Sequence, residues 1–279
     1  MKPVRFDYER PADLDAAVAL LQDDSLSIKL LAGGQSLGPM LNMRLVQPDL
    51  LVDISALDAL RRVDERADEI IVGACVTHAD FEDRRVPDVT AGALPGVARG
   101  IAYRAVRNRG TVGGSLTHAD PSADWISILS AVGAGVTLRG ASGLREVRVQ
   151  DYILGALSAD LQPGEILEAV RIPRCGPRTR WGYYKSCRKT GEFAQAIGAV
   201  FFDPDRDLCR AVIGATEARP IVLDDARPLF GGSLHDFTTA TFDADAVSDA
   251  ITAAGMSDPL DRRTHVVALR RAVQQAEAA

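Results

Sequence analysis

Apolar positions along the chain come in short runs whose period switches between helical and strand-like at polar or glycine-rich breaks. In residues 11–21, PADLDAAVALL, the side chains of Leu14, Ala17, Val18 and Leu21 share one helical face behind a Pro–Ala–Asp opening. Residues 28–31 predict a short buried strand, 39–44 a brief helix, 50–54 a second strand and 56–60 a helical turn. The first stretch, to about residue 55, therefore reads as a small α/β unit. A second unit follows. Residues 69–72 form a strand, and Gly73–Ala74 turns toward Thr77, an N-cap for a helix starting at His78. Residues 87–102 hold two apolar segments separated by Pro95–Gly96, and 101–106 leads into a loop at Gly113–Gly114. Residues 125–132 are apolar and helical in length. Strands are expected at 134–138 and 146–149 around a glycine-rich turn, and at 165–172, where Pro173 ends the run.

The stretch 174–180, RCGPRTR, is rich in Gly, Pro and Arg and marks the best boundary. Past it come three strands, 181–187, 194–202 and 208–214, with Asp203–Pro204–Asp205 as the hairpin turn. Two helical patterns close the chain, at 244–254 and 262–278. A β-meander followed by helices is an α+β order.

Composition narrows the functional classes. The 279 residues are 25% charged and 47% hydrophobic, ordinary for a globular protein. A net charge of −6 argues against nucleic acid or an anionic membrane surface as the main partner. No apolar run approaches the roughly 18 residues of a membrane span. The opening MKPVRFDYERP has no apolar signal core, so a cytoplasmic location is expected. Cys75, Cys175, Cys187 and Cys209 form no C-x-x-C pair, and His78, His118, His235 and His265 are dispersed, so no metal site is expected within the chain. The cysteines read as free thiols.

The chemistry concentrates in two glycine pairs. Residues 107–125, RNRGTVGGSLTHADPSADW, combine Gly113 and Gly114 with the hydroxyls of Thr111 and Ser115, His118, Asp120 and Asp124. Glycines there permit φ > 0 and close approach of a ligand to backbone N–H groups, which form a concave anion site. The aspartates suit sugar-type hydroxyls. Residues 29–38, KLLAGGQSLG, run from a strand into Gly33, Gly34, Gln35 and Ser36, again offering donors to phosphate oxygens. Neither segment is G-x-G-x-x-G or G-x-x-x-x-G-K-[ST]. Two such turns, about eighty residues apart, fit a dinucleotide gripped from two sides; each also reads as a tight turn and nothing more.

AGGQS at 32–36, TVGGSLTHADPSAD at 111–124, GEILEAVRIP at 164–173 and YYKSCRKTGEFA at 183–194 occur in the order found in one family. The chain resembles the FAD-binding medium subunit of the molybdenum hydroxylases, the xanthine and carbon monoxide dehydrogenase family, from about residue 3 to 275. The resemblance implies an α+β fold with a vanillyl-alcohol-oxidase-like FAD-binding half of two α/β subdomains (1–55 and 56–175). A C-terminal domain (176–279) with a three-stranded antiparallel sheet and helices would follow. It implies that Ala32, Gly33, Gly34, Gln35 and Ser36 cradle the FAD pyrophosphate, with Lys29, Leu30 and Leu31 leading in. Thr111, Gly113, Gly114 and Ser115 close from the other side, and Asp124 bonds hydroxyls of the sugar or ribityl chain. Ile101, Leu167 and Lys185 fall at flavin contacts, and Phe193 against the isoalloxazine. His118 reads either as a phosphate or flavin-edge donor or as a structural hydrogen-bonder, and Lys185 otherwise as belonging to a solvated basic face. Trp125 and Trp181 read as core.

Two departures are visible: TVGGS where TIGGN is commoner, and Phe193 where some members carry tyrosine. Each bears on flavin potential or solvent access. The resemblance further implies a molybdenum cofactor on a large subunit, [2Fe–2S] clusters on a small one, an (αβγ)2 assembly, and an acceptor that is NAD, a quinone, a cytochrome or dioxygen. The look of GGQSLGPMLNMRL inclines the substrate toward an N-heterocycle. No catalytic acid or base is expected on this chain. A stand-alone FAD oxidoreductase of the vanillyl-alcohol oxidase type and a flavin-free scaffold subunit remain alternatives.

Overall fold

The computed structural model describes residues 2–232 and 238–278; His235 lies outside them. The first unit is a parallel sheet of β1 (Asp7–Glu9), β2 (Ile28–Leu31) and β3 (Leu50–Asp53), in the order β1-β3-β2. Helix α1 (Leu14–Leu20) is capped by Asp13, whose Oδ1 accepts from the Ala16 N–H at 2.8 Å. It buries Leu14, Ala17 and Val18 against Leu50, Val52, Ile54 and Leu57. Helix α2 (Leu37–Asn42) follows β2 directly. Strand β1 is exposed along its length and carries no apolar alternation, so periodicity does not reveal it. The helical turn expected at 56–60 is only a 3₁₀ turn, Asp58–Leu60.

The second unit begins with β4 (Val63–Glu65) and β5 (Glu69–Gly73) and continues through five helices. These are α3 (His78–Glu82), α4 (Ala93–Arg99), α5 (Arg104–Arg107), α6 (Val112–His118) and α7 (Asp124–Val132). Then come β6 (Gly135–Gly140), β7 (Gly143–Arg148), the turn of helix α8 (Val149–Tyr152), the small hairpin β8 (Ile153–Gly155) and β9 (Ser158–Ala159), and β10 (Ile166–Pro173). The sheet is antiparallel, ordered β4-β5-β10-β6-β7. Pro95–Gly96, expected to separate a pair of apolar segments, sits inside α4 instead. Pro95 is the third residue of the helix, where its missing N–H costs no intrahelical bond. Gly96 lets the ring of Trp181 pack close: a Cβ there would lie 3.0 Å from Cη2.

All nine residues of α7 are buried, and past Asp124 none carries a charge. A helix buried on every side belongs between layers. Accordingly α7 joins the second sheet to the third, and the core built around it also takes in Ala199, Phe201 and Val212. The third sheet is antiparallel: β11 (Arg180–Ser186), β12 (Ala196–Asp203), β13 (Leu208–Gly214) and a short β14 (Ile221–Leu223) that joins the edge of the expected three-stranded meander. Helix α9 (Ala244–Ala253) and the long α10 (Pro259–Ala278) complete the described chain. Among the described residues, no helix is long and apolar enough to cross a membrane.

Helix α10 lies in a groove of glycines. Gly182 and Gly198 sit diagonally across the β11–β12 pair, each beneath one alanine of the Ala268–Ala272–Ala276 stripe. A Cβ on Gly198 would stand 2.5 Å from both Ala268 O and Leu269 Cα. The contact is backbone to backbone, so neither side has a rotamer with which to yield. Gly198→Val is therefore expected to cost about 1–3 kcal/mol by overpacking, read as a lower urea midpoint at unchanged slope. Gly38→Ala is the opposite case: nothing lies within 4 Å of its Cβ, it sits inside α2, and a gain of roughly 0.5–1 kcal/mol is expected.

Candidate functional site

The two glycine segments stand back to back. Gly33 presses on the main chain of Arg109 and Gly110, where a Cβ would overlap Arg109 O and approach Gly110 Cα to 2.9 Å. Beside this contact opens a cavity of about 590 Å3, within the ~300–1,000 Å3 range of small-molecule sites. Lys29, Leu30 and residues 32–37 form one wall, and residues from the 110–125 stretch another. Further lining comes from Met40, Ile54, His78, Ile101–Tyr103, Ile166 and Leu167 of β10, Lys185 of β11, and the Gly191–Phe193 segment.

Backbone chemistry differs between the segments. The main-chain N–H groups of Gly33, Gly34, Gln35, Ser36 and Leu37 donate to no acceptor among the described residues, and Gly34 has φ +71°. These are free backbone donors in the segment where the sequence leads one to expect them. The second pair departs from expectation. Gly113 and Gly114 lie in the first turn of α6 with helical φ, and their N–H groups are already used. Gly113 donates to Ala74 O at 2.9 Å, and Gly114 to the capping hydroxyl of Thr111 at 3.1 Å. Their lack of side chains has a packing cause: a Cβ on Gly113 would sit 2.8 Å from Ala74 Cα and O. What they give the cavity is room.

At the far end Asp124, the first residue of α7, is buried. Its Oδ1 accepts from the Tyr183 hydroxyl at 2.7 Å, and its Oδ2 from Lys185 Nζ at 3.1 Å. Burial pushes this carboxyl up, against the pull of Lys185 and Tyr183. Lys185 Nζ also donates to Gly100 O at 3.0 Å. From the other side Arg107 donates to the carbonyls of Ile101 and Ala102, both at 2.9 Å, while its remaining donors grip Glu82. Those bonds hold the Glu82 carboxyl below the usual range. The 100–103 turn, in which Ala102 takes φ +42°, is thus pinned by two cations.

Comparison with known proteins decides the family. The family model for the FAD binding domain in molybdopterin dehydrogenase matches residues 4–175. The chain belongs to this family. The carbon monoxide dehydrogenase medium chain of Afipia carboxidovorans is 35% identical over 100% of this chain and 99% of its own length. The caffeine dehydrogenase subunit beta of a Pseudomonas is 33% identical over 79% of this chain and 76% of its own. A solved carbon monoxide dehydrogenase from Hydrogenophaga pseudoflava, lacking the Mo-pyranopterin moiety, superposes with a TM-score of 0.88 at 30% identity, covering 100% of this chain and 99% of that one. This FAD-family chain is thus similar throughout to medium chains of molybdenum-containing dehydrogenases, and it is an oxidoreductase subunit.

The residues present fit a flavin dinucleotide. Five unpaired donors suit a pyrophosphate, and Leu30, Leu37, Met40, Ile54 and Leu167 supply apolar walls for planar rings. Of the residues the sequence singled out, all but one line this cavity: Lys29, Leu30, Ala32, Gly33, Gly34, Gln35, Ser36, Ile101, Thr111, Gly113, Gly114, Ser115, His118, Asp120, Asp124, Leu167, Lys185 and Phe193. Leu31 does not; it packs beneath Gly34, its Cδ1 3.2 Å from where a Cβ on Gly34 would stand. Phe193, 74% exposed, and Tyr103, 65% exposed, stand at the mouth.

His78, missed by sequence reasoning, lines the same cavity. Its Nδ1 accepts from Trp125 Nε1–H at 2.8 Å, a pair 47 residues apart that only packing brings together; no local signal marks it. Trp125 is fully buried, as expected of a core residue, yet it also contributes to the cavity wall. Burial and then the Arg107 cation push His78 from 6.5 down to about 4. The unfolded chain therefore binds a proton near pH 6.5 that the folded chain refuses until about pH 4. Stability from this group is complete above pH 6.5 and is lost as pH falls toward 4, by roughly 3 kcal/mol. Urea unfolding of wild type and His78→Gln across that window checks it: the variant should lose that much less.

Proposed function

We propose that this chain is the FAD-carrying medium subunit of a molybdenum-containing hydroxylase, and the module through which electrons leave the complex. The observation that carries the reading is the array of five unpaired N–H groups at 33–37, opening onto a cavity with apolar walls. Residues 33–37 would hold the pyrophosphate. Ser115, Asp120 and the unused acceptor positions of Asp124 would take hydroxyls of the sugar and ribityl chain, since a carboxylate offers about four lone-pair sites. Leu167, Ile101 and Phe193 would bracket the isoalloxazine, beside the fixed cation of Lys185. When bound, the flavin supplies the redox chemistry. The protein would orient it, the pinned 100–103 turn would screen it from water, and the exposed Tyr103 and Phe193 would stand at the cavity mouth.

The remaining cofactors of such an enzyme would sit on partner chains: molybdenum on a large subunit and [2Fe–2S] clusters on a small one, as (αβγ)2 in the cytoplasm. The FAD-binding domain would span 1–175, with subdomains near 1–55 and 56–175, followed by a C-terminal flavoprotein domain at 176–279. For the oxidised substrate we favour an N-heterocycle, supported by the similarity to the caffeine dehydrogenase subunit. The comparable similarity to a carbon monoxide dehydrogenase chain makes carbon monoxide the competitor. NAD, a quinone, a cytochrome and dioxygen are the acceptors to assay.

The test is a visible spectrum and subunit gel of the protein purified from its host with whatever accompanies it. Flavin bands, iron–sulfur absorption and two further chains, one large and one small, are the expected result. Turnover of caffeine-like purines against carbon monoxide then separates the substrate classes. Flavin on a single chain that turns over substrate unaided would sink the subunit reading.

A further inference from the structure

The contacts proposed for pyrophosphate, sugar and ring leave His78 on the cavity wall unused. His78 is the first residue of α3 and is held at both ends of its backbone surroundings. Thr77 and Asp80 close a reciprocal capping box, and the His78 N–H donates to Gly110 O at 2.9 Å. The side chain is 6% exposed. An indole N–H can only donate, so the 2.8 Å contact from Trp125 Nε1 makes Nδ1 an acceptor. A neutral imidazole with Nδ1 as acceptor carries its hydrogen on Nε2. The low proton affinity of this buried ring keeps it in that neutral form at physiological pH.

That Nε2–H has no acceptor among the described residues. It lies against Gly110, also on the cavity wall, where a Cβ would stand 2.7 Å from Nε2. Gly110 in turn backs onto Gly33, which begins the unpaired donor array. On a residue this buried, a donor fixed in one tautomer and open only to the cavity is matched by water or by an acceptor that arrives from outside the chain.

We infer that His78 is a ligand-contacting residue: its Nε2–H donates to an acceptor atom of the bound flavin dinucleotide, with Trp125 as the positioning residue that fixes the tautomer. The inference rests on the reading of the cavity as an FAD site. A neutral, fixed donor of this kind binds an oxygen or ring nitrogen without adding charge, and its contribution does not change between pH 6 and 8.

The full chain, freed of flavin, is titrated with FAD by quenching of flavin fluorescence. Wild type is compared with His78→Leu and with His78→Gln, whose amide N–H stands near the place of Nε2–H. His78→Leu should raise the Kd for FAD at least tenfold, and His78→Gln no more than about threefold. In 15N-histidine NMR, with the His78→Gln spectrum assigning the signal, Nδ1 should be unprotonated with and without FAD, and the Nε2–H resonance should move when FAD is added. An unchanged Kd in a folded His78→Leu protein, or a proton on Nδ1, overturns the inference while leaving the cavity an FAD site. A wild-type chain that takes up no FAD overturns both. Should His78→Leu fail to fold, the NMR shift decides: movement supports the contact, and its absence overturns it.

Discussion

The backbone contact between Gly33 and the Arg109–Gly110 peptide is the constraint on which the rest of the site depends. It joins the end of the parallel sheet to the segment feeding α6, and it tolerates no side chain at Gly33. Because the contact is main chain on main chain, it fixes the spacing of the two walls more tightly than any pair of side chains. The N–H groups of 33–37 are left without an acceptor among the described residues. Such groups are costly to bury unless a ligand or water meets them, so the fold keeps a row of free backbone donors open to the cavity at its first sheet's edge.

Around that contact the chain divides its polar groups between fixing and binding. Arg107 and Lys185 commit their donors to the carbonyls of 100–102 and to the carboxylates of Glu82 and Asp124. The second glycine pair commits its N–H groups to Ala74 and Thr111. Donors that remain free, at 33–37 and on His78, cluster where Gly33, Gly110 and the α3 start meet. The fully buried α7 carries Asp124 and Trp125 at its first two positions. One rigid helix therefore positions both the Lys185–Tyr183 cluster and the His78 tautomer. Packing of the third sheet on α7 draws the C-terminal residues into the same apparatus.

Much was legible in the residues alone. The apolar periods located α1, β2, β3, β5, α7, β6, β10 and the β11–β13 meander, because each buries a face and burial writes a period into the sequence. The exposed or very short strands β1, β4 and β14 went unseen, since an edge strand held by backbone bonds needs no pattern. Pro95–Gly96 misled because proline breaks a helix only past its first turn. The glycine pairs drew attention, from composition and order, to the two segments that wall the cavity.

What the sequence determined by itself was the set of residues with no alternative chemistry: where glycine stands, where charge is absent, which runs must be buried. What only the tertiary structure decided was how each was used. Gly113 and Gly114 proved to be helical residues making room for Ala74 rather than a left-handed turn of free donors, since the use of an N–H depends on which carbonyl folding brings beside it. His78 became a cavity group only through Trp125, 47 residues away. Local sequence sets what a side chain can donate or accept; long-range packing sets whether the partner is the protein or a ligand.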